Sequence, residues 1–235
     1  MNESLALAPD LYVTPTPLGA LHVVTTDADG PAERLVRHLL RTPKPCTTAT
    51  LDLAAATGVD DETTAITVVA LAQDAGWIEG RTDAPEVADG PLGHELPELL
   101  TPLSDIGRAA LIDDQGFSLS AVGFSPEAEE EVTVLAAEVS RLQQRREMVA
   151  AANTAATGWG LVDRHGATTV AFFPLAIGRQ QFVLILGGLP RLNHAALVLL
   201  TAALSRRYDP SPDGPAGLDG EASTHPTTTE GSTHA

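Results

Sequence analysis

Two hairpins of one kind bracket a long helix between residues 107 and 189, and this arrangement limits the fold more than any other feature of the chain. Asp113-Asp114-Gln115-Gly116 separates Arg108 to Ile112 from Phe117 to Val122, and Asp163-Arg164-His165-Gly166 separates Gly158 to Val162 from Ala167 to Phe173. At the first corner Asp113 or Asp163 bonds the backbone ahead of it, and at the fourth Gly116 or Gly166 takes a positive φ without a Cβ clash. Each signal predicts a tight reversal with a bulge beside it. Phe117, Leu119 and Ala121 alternate with Ser118 and Ser120, which reads as a half-buried antiparallel strand. Between the hairpins, Ser125-Pro126-Glu127 supplies a hydroxyl cap, a Pro at the first helical position and acid in the first turn. Along the helix after this cap, Ala128, Val132, Leu135, Val139 and Leu142 recur at heptad spacing, and Gln143 to Glu147 ends the stripe. Such a seam lies on the chain's own sheet, and it also suits a partner helix.

The remaining apolar runs extend this unit in both directions. Phe182-Val183-Leu184-Ile185-Leu186 does not alternate, so the strand from Gln181 to Leu186 belongs mid-sheet with both faces covered. Pro174 cannot donate to a ladder and is expected at the end of the preceding strand or at a bulge. Asn193 is the expected cap of a last helix to Tyr208, carrying Leu197, Val198, Leu200 and Leu204. Upstream, Leu96, Leu99, Leu100 and Leu103 predict a short docking helix that Pro102 cuts off.

The first third of the chain reads differently. Met1 to Asp10 is a loose end, and Leu11-Tyr12-Val13 and Leu21 to Val24 suggest a hairpin around Thr14-Pro15-Thr16-Pro17. Pro31 opens a helix through Arg41, a second runs from Thr48 to Thr57 and stops at Gly58, and a third runs from Asp60 to Ala75 with Asp60 as its cap. The β-branched run from Thr63 to Val69 argues against that third helix, but its length outweighs the propensity. Gly76 to Gly80 reads as a strand. Asp83 to Glu95, rich in Pro, Gly and acid, reads as a linker. Asp209 to Ala235 has one large aliphatic residue, Leu218, and is expected to be disordered. The chain therefore divides into 1–82, 83–95, 96–208 and 209–235, and its class is α+β.

Composition removes several kinds of chemistry. Residues 1–95 carry 5 basic and 15 acidic side chains, and net charge over the whole chain is −17, so a phosphate backbone is an unfavourable partner. Cys46 is the only cysteine, which closes internal disulfides and cysteine-rich zinc sites. Lys44 is the only lysine and lies between prolines, outside any Gly-rich loop, so no Walker A motif is present. HExxH, GxSxG and helix-opening GxGxxG patterns are likewise missing from the sequence. His165, within a turn, and Arg145-Arg146, on a helix, read as solvated groups, as do His225 and His234. No apolar stretch approaches the ~20 residues of a membrane span. The start of the chain lacks the pattern of a secretory signal, so the expected location is cytoplasmic.

Two stretches resemble known families. Residues 31–81, with the reversal at Gly58-Val59 and the segment "LAQDAGWIEG", resemble a winged helix-turn-helix. The third helix opens with Asp60, Asp61 and Glu62, where a DNA reader would place basic or amide side chains, so protein interaction or packing fits this module better. Residues 96–208, with "ALIDDQGFSLSAVG" as their opening hairpin, resemble the roadblock domain of dynein light chains and of bacterial regulators of Ras-like GTPases. That resemblance implies a five-stranded antiparallel sheet in order 2-1-5-4-3 and homodimers built through the long helix and third strand. Related longin and profilin-like folds share the pattern. On the roadblock reading Val132, Leu135, Val139, Leu142, Trp159 and Leu161 form the interface, Asp113, Gly116, Asp163 and Gly166 shape the turns, and no cofactor, metal or catalytic residue is required. The expected role is a non-enzymatic regulator or scaffold that binds a small GTPase, with a structural adaptor as the alternative and a DNA-binding regulator less favoured.

Overall fold

A computed structural model describes residues 7–88, 90–144 and 158–210, with side chains from 142 to 144 set aside. The Leu142 side chain, Gln143 to Glu147 as the end of the stripe, Arg145-Arg146, residues 1–6 and the tail from 211, with His225 and His234, therefore fall outside the described part of the molecule. The chain is α+β, with a two-stranded and a five-stranded antiparallel sheet.

The N-terminal module begins with strand β1 (Tyr12–Pro15) and helix α1 (Pro17–Thr25). Leu21 to Val24 is thus helical, a correction to the hairpin expected there. The cause is local: Thr16 Oγ1 accepts the Gly19 N–H at 3.1 Å and Pro17 takes the first helical position, which together start a helix. Gly19 is required because a Cβ there would stand 2.1 Å from the Trp77 carbonyl oxygen. Helix α2 (Pro31–Arg41) comes next, and its Arg37 donates to the carbonyls of Val23, Thr26 and Ala28, which cover the open C-terminal end of α1.

Helix α3 (Leu53–Thr57) is shorter than expected because Asp52, not Thr48, caps it by accepting the Ala55 N–H. Helix α4 (Glu62–Asp74) is capped by Asp61, which accepts both the N–H and the hydroxyl of Thr64, rather than by Asp60. Strand β2 (Ile78–Arg81) pairs with β1 across the whole module, from Tyr12↔Arg81 to Pro15↔Ile78.

Residues 82–91 carry no regular element where described, and helix α5 (Leu92–Leu100) begins inside the segment read as linker, continuing through Pro97 into a 3-10 turn at Thr101–Leu103 that contains Pro102. Strands β3 (Ala109–Asp113) and β4 (Ser118–Val122), helix α6 (Pro126–Gln144), strands β5 (Trp159–Val162), β6 (Thr168–Ile177) and β7 (Gln180–Gly187), and helix α7 (Ala196–Tyr208) complete the described elements. The sheet order is β4-β3-β7-β6-β5.

The two hairpin turns repeat one another. Asp113 Oδ1 accepts the N–H groups of Gln115 and Phe117, Asp163 Oδ1 accepts those of His165 and Ala167, and Gly116 and Gly166 have φ of 86° and 81°. A bulge lies beside each turn. The first one breaks the alternation read along β4: with Leu119 as the extra residue, Leu119 packs against one face of the sheet and Ala121 against the other, while Phe117 is 66% exposed. Pro174 stands within β6, opposite Val183, where β5 has already ended at the Trp159↔Phe172 pair. Among the described residues its missing N–H thus deprives no neighbouring strand. Asn193 does not cap the last helix; α7 starts three residues later, and His194 Nδ1 accepts the Ala196 N–H at 3.1 Å.

Strand β7 is central, paired with β3 on one side and β6 on the other. Phe182, Leu184 and Leu186 face one helical layer and Val183 and Ile185 face the other, which is why the run does not alternate. On the first face α5 and α7 pack on the sheet, and α1 and α2 pack in turn on α7, with α1 also reaching β6. One buried cluster therefore runs from Val13 and Leu35 through Leu200 to Leu184. Arg41 pairs with Asp209, and Arg206 donates to the Ala88 carbonyl at 2.7 Å, tying both modules and the connecting segment together.

This continuity predicts one cooperative unfolding transition for both modules. Leu200, fully buried at their junction, should cost about 2–5 kcal/mol when replaced by Ala, and urea melts followed by circular dichroism and tryptophan fluorescence should shift together. Burial holds half-buried His38 below its ordinary 6.5, with the Arg41 charge acting in the same direction and Asp52 opposing. Below 6.5 the unfolded chain then binds more protons than the folded one, so this contribution is present above 6.5 and lost as pH falls through the depressed value. Urea midpoints measured from neutral to mildly acidic pH should fall, and His38→Gln should flatten that slope.

Candidate interaction surface

The second face of the sheet carries only α6 among the described elements packed on it. Ser125 starts this helix: its hydroxyl accepts the Ala128 N–H at 3.3 Å, and Glu127 is held below the usual carboxylate range by its own backbone N–H and by the Ser125 hydroxyl. Val132 and Ala136 are buried and Val139 is partly buried, all against Ala110, Ile112, Phe172, Val183 and Ile185. Leu135 departs from this face. It lies ~60° around the helix from Val132 at 3.6 residues per turn, and with Ala136 occupying the position nearest the sheet, Leu135 is left 40% exposed beside Val134 at 61%.

Strand β5 forms one edge of the sheet and pairs only with β6 among the described residues. Trp159 packs partly buried against the same cluster as Val132 and Val139. Leu161 stands opposite Val170, which belongs to that cluster, so it projects on the α6 side while remaining 47% exposed. An edge strand offers unpaired N–H and C=O groups to another strand. Of the expected interface residues, Val132, Val139 and Trp159 thus hold the helix and edge strand to the sheet, and Leu135 and Leu161 are presented outward. Val134 joins them; it falls outside the heptad spacing, so the seam alone does not mark it.

No group of three or more His, Cys, Asp or Glu among the described residues could hold a metal ion. Burial raises the Cys46 thiol above its ordinary value, which disfavours the nucleophilic thiolate. His165 Nε2 lies 3.2 Å from Arg164 Nε within the exposed turn, while Oδ1 of Asp163 is occupied by backbone N–H groups. A cleft of about 220 Å³ lies between the first hairpin turn and α6, over Ile112, Ala136 and Val183, with Asp114, Ser140 and Arg141 at its walls. No helix among the described residues is long and apolar enough to cross a membrane. Compared with protein-family models, curated proteins and solved structures, the chain has no significant match in any of the three.

The division of the seam is directly testable. Val132→Asp places a charge against the sheet and should destabilise by several kcal/mol, whereas Leu135→Asp on the exposed flank should change the stability of the single folded chain, compared at concentrations where the wild type is monomeric, by no more than about 0.5–1 kcal/mol. Urea melts of the two variants under identical conditions compare them.

Proposed function

We propose that this protein is a non-enzymatic regulatory scaffold of the roadblock kind, which forms homodimers through α6 and β5 and binds a small Ras-like GTPase to influence its nucleotide state or location. The observation that carries the proposal is the strand order β4-β3-β7-β6-β5 with α6 inserted between β4 and β5, which counted within the unit is 2-1-5-4-3. Exposed Leu135 and Leu161 on the α6 side, next to an open strand edge, supply a surface that a second copy would cover. A binding role of this kind needs a preformed surface and no catalytic constellation. The cytoplasm is the compartment in which this activity is placed.

The winged-helix-like module is assigned to protein contact rather than to DNA. Asp60, Asp61 and Glu62 at the start of α4 would face phosphates with the wrong sign. A structural adaptor is the second reading, favoured by Leu18 and Leu71 of this module, which are 56% and 60% exposed.

Light scattering tests the first step: the wild type should have the mass of a dimer, and Leu135→Asp should give a folded monomer. A wild-type monomer at all accessible concentrations defeats the dimer proposal. For the second step, purified candidate GTPases would be loaded with fluorescent nucleotide, and exchange and hydrolysis monitored with and without the protein. A change that Leu135→Asp diminishes supports regulation, and no change with any of them favours the adaptor.

A further inference from the structure

We infer a second self-association surface, distinct from the α6–β5 face, in which one end of the five-stranded sheet seats in the groove between α3 and α4 of another copy. At that end of the sheet, Val162 pairs with Thr168, and Gly188 donates to the Thr169 carbonyl at 2.9 Å. Leu189 is bound to Asp105 twice, donating to Oδ1 at 2.7 Å and accepting the Asp105 N–H at 3.2 Å. Leu189 and Ile106 therefore fall on neighbouring passes of the chain and Val162 one strand further along, beyond the start of β6, at about 4.8 Å per strand. They are 64%, 62% and 54% exposed. The platform under them is fixed by buried Ser104, whose hydroxyl donates to the Gly187 carbonyl at 2.7 Å and accepts the N–H groups of Ile106 and Arg108. Ordering these loops on binding therefore costs little further entropy.

Three arginines gather at this end. Arg108, Arg164 and Arg191 surround the apolar row, are exposed, and have no carboxylate partner among the described residues. Arg34, Arg37, Arg41, Arg81 and Arg141 are each paired, and Arg179 and Arg207, also exposed and in no ion pair among the described residues, belong to the opposite end, in the β6–β7 turn and the last turn of α7. The neighbouring acids Asp105 and Asp163 accept backbone N–H groups.

The complementary surface lies on the other module. A groove of about 330 Å³ between α3 and the start of α4 has Leu51, Leu53, Val59 and Ala65 in its lining, together with Asp52, Asp60 and Glu62 and no Lys or Arg. Arg34 approaches Gly58 beside this groove, but its guanidinium is held by Asp29. Apolar side chains meet apolar lining, and unpaired guanidinium groups meet carboxylates, which is the pairing that fixes register and excludes wrong partners. The net charge of −17 opposes association of like copies, but at about 0.15 M salt a Debye length of about 8 Å confines that repulsion to the rim of the contact. Because two different patches meet, the contact does not close on itself by twofold symmetry and extends to further copies.

The test uses the full chain carrying Leu135→Asp, so that the α6–β5 contact is absent and only this one is read. Sedimentation over rising concentration should show weight-average mass increasing beyond the monomer. Arg164→Glu with Arg191→Glu, or Asp60→Arg with Glu62→Arg, should each weaken association at least about tenfold. The chain with all four reversals should recover it, and an equimolar mixture of the two double variants should associate. Circular dichroism checks that each variant folds. Constant monomer mass for the parent, or singly reversed faces that associate as before, overturns the proposal, as does failure of the folded four-reversal chain to recover. Failure of the α6–β5 dimer alone would appear separately, as a wild type whose mass Leu135→Asp leaves unchanged.

Discussion

The structure depends on burying α7 from every side. Leu197, Leu200 and Leu204 are fully buried in the layer against the sheet, and Val198, Leu199 and Ala202 line the cleft shared with Leu39 and Leu40 of α2. A helix apolar around its whole circumference has no face left for water. Alone, the sheet would cover only part of it, so α1, α2 and α5 complete the enclosure. The N-terminal module is therefore a structural layer of the sheet unit as well as a candidate recognition element, and mutations at the junction are felt by both.

The two faces of the sheet are unequal as a result. One is covered by helices that are themselves covered, while the other has α6 and an edge strand whose backbone remains open on one side among the described residues. Apolar groups left in water are therefore informative chiefly on the thin side, where Leu135 and Leu161 project. At the loop end, Ile106, Val162 and Leu189 are exposed as well, beside a segment that the Ser104 hydroxyl bonds in place.

Much of the sheet unit was legible because its signals are local. The Asp and Gly of each turn act within four residues, Ser125-Pro126 starts α6 where it stands, and the unbroken apolar run of β7 already required two covered faces. What was not legible depended on distant partners. Leu21 to Val24 favours strand by propensity but is helical because Thr16 and Pro17 start a turn whose close approach to Trp77 needs Gly19. The linker composition concealed the start of α5, since Leu92 finds its packing only in the shared core. The heptad along α6 located the helix but not the split between Val132 and Leu135, because spacing records that residues share a side and not how wide the sheet beneath them is. The unpaired arginines at the loop end come from three separated positions, 108, 164 and 191, and no window of sequence contains them together.

The enclosure of α7 also has a consequence in time. Helices α1 and α2 leave the ribosome well before α7, and the surface they cover is made only when Ala196–Tyr208 has been synthesised. At ordinary rates of synthesis that interval is roughly ten to thirty seconds. Throughout it the apolar sides of α1 and α2, and β1 until Ile78 arrives to pair with it, have to be shielded by transient contacts or by a chaperone. The last described helix to be made is thus the one that closes the first.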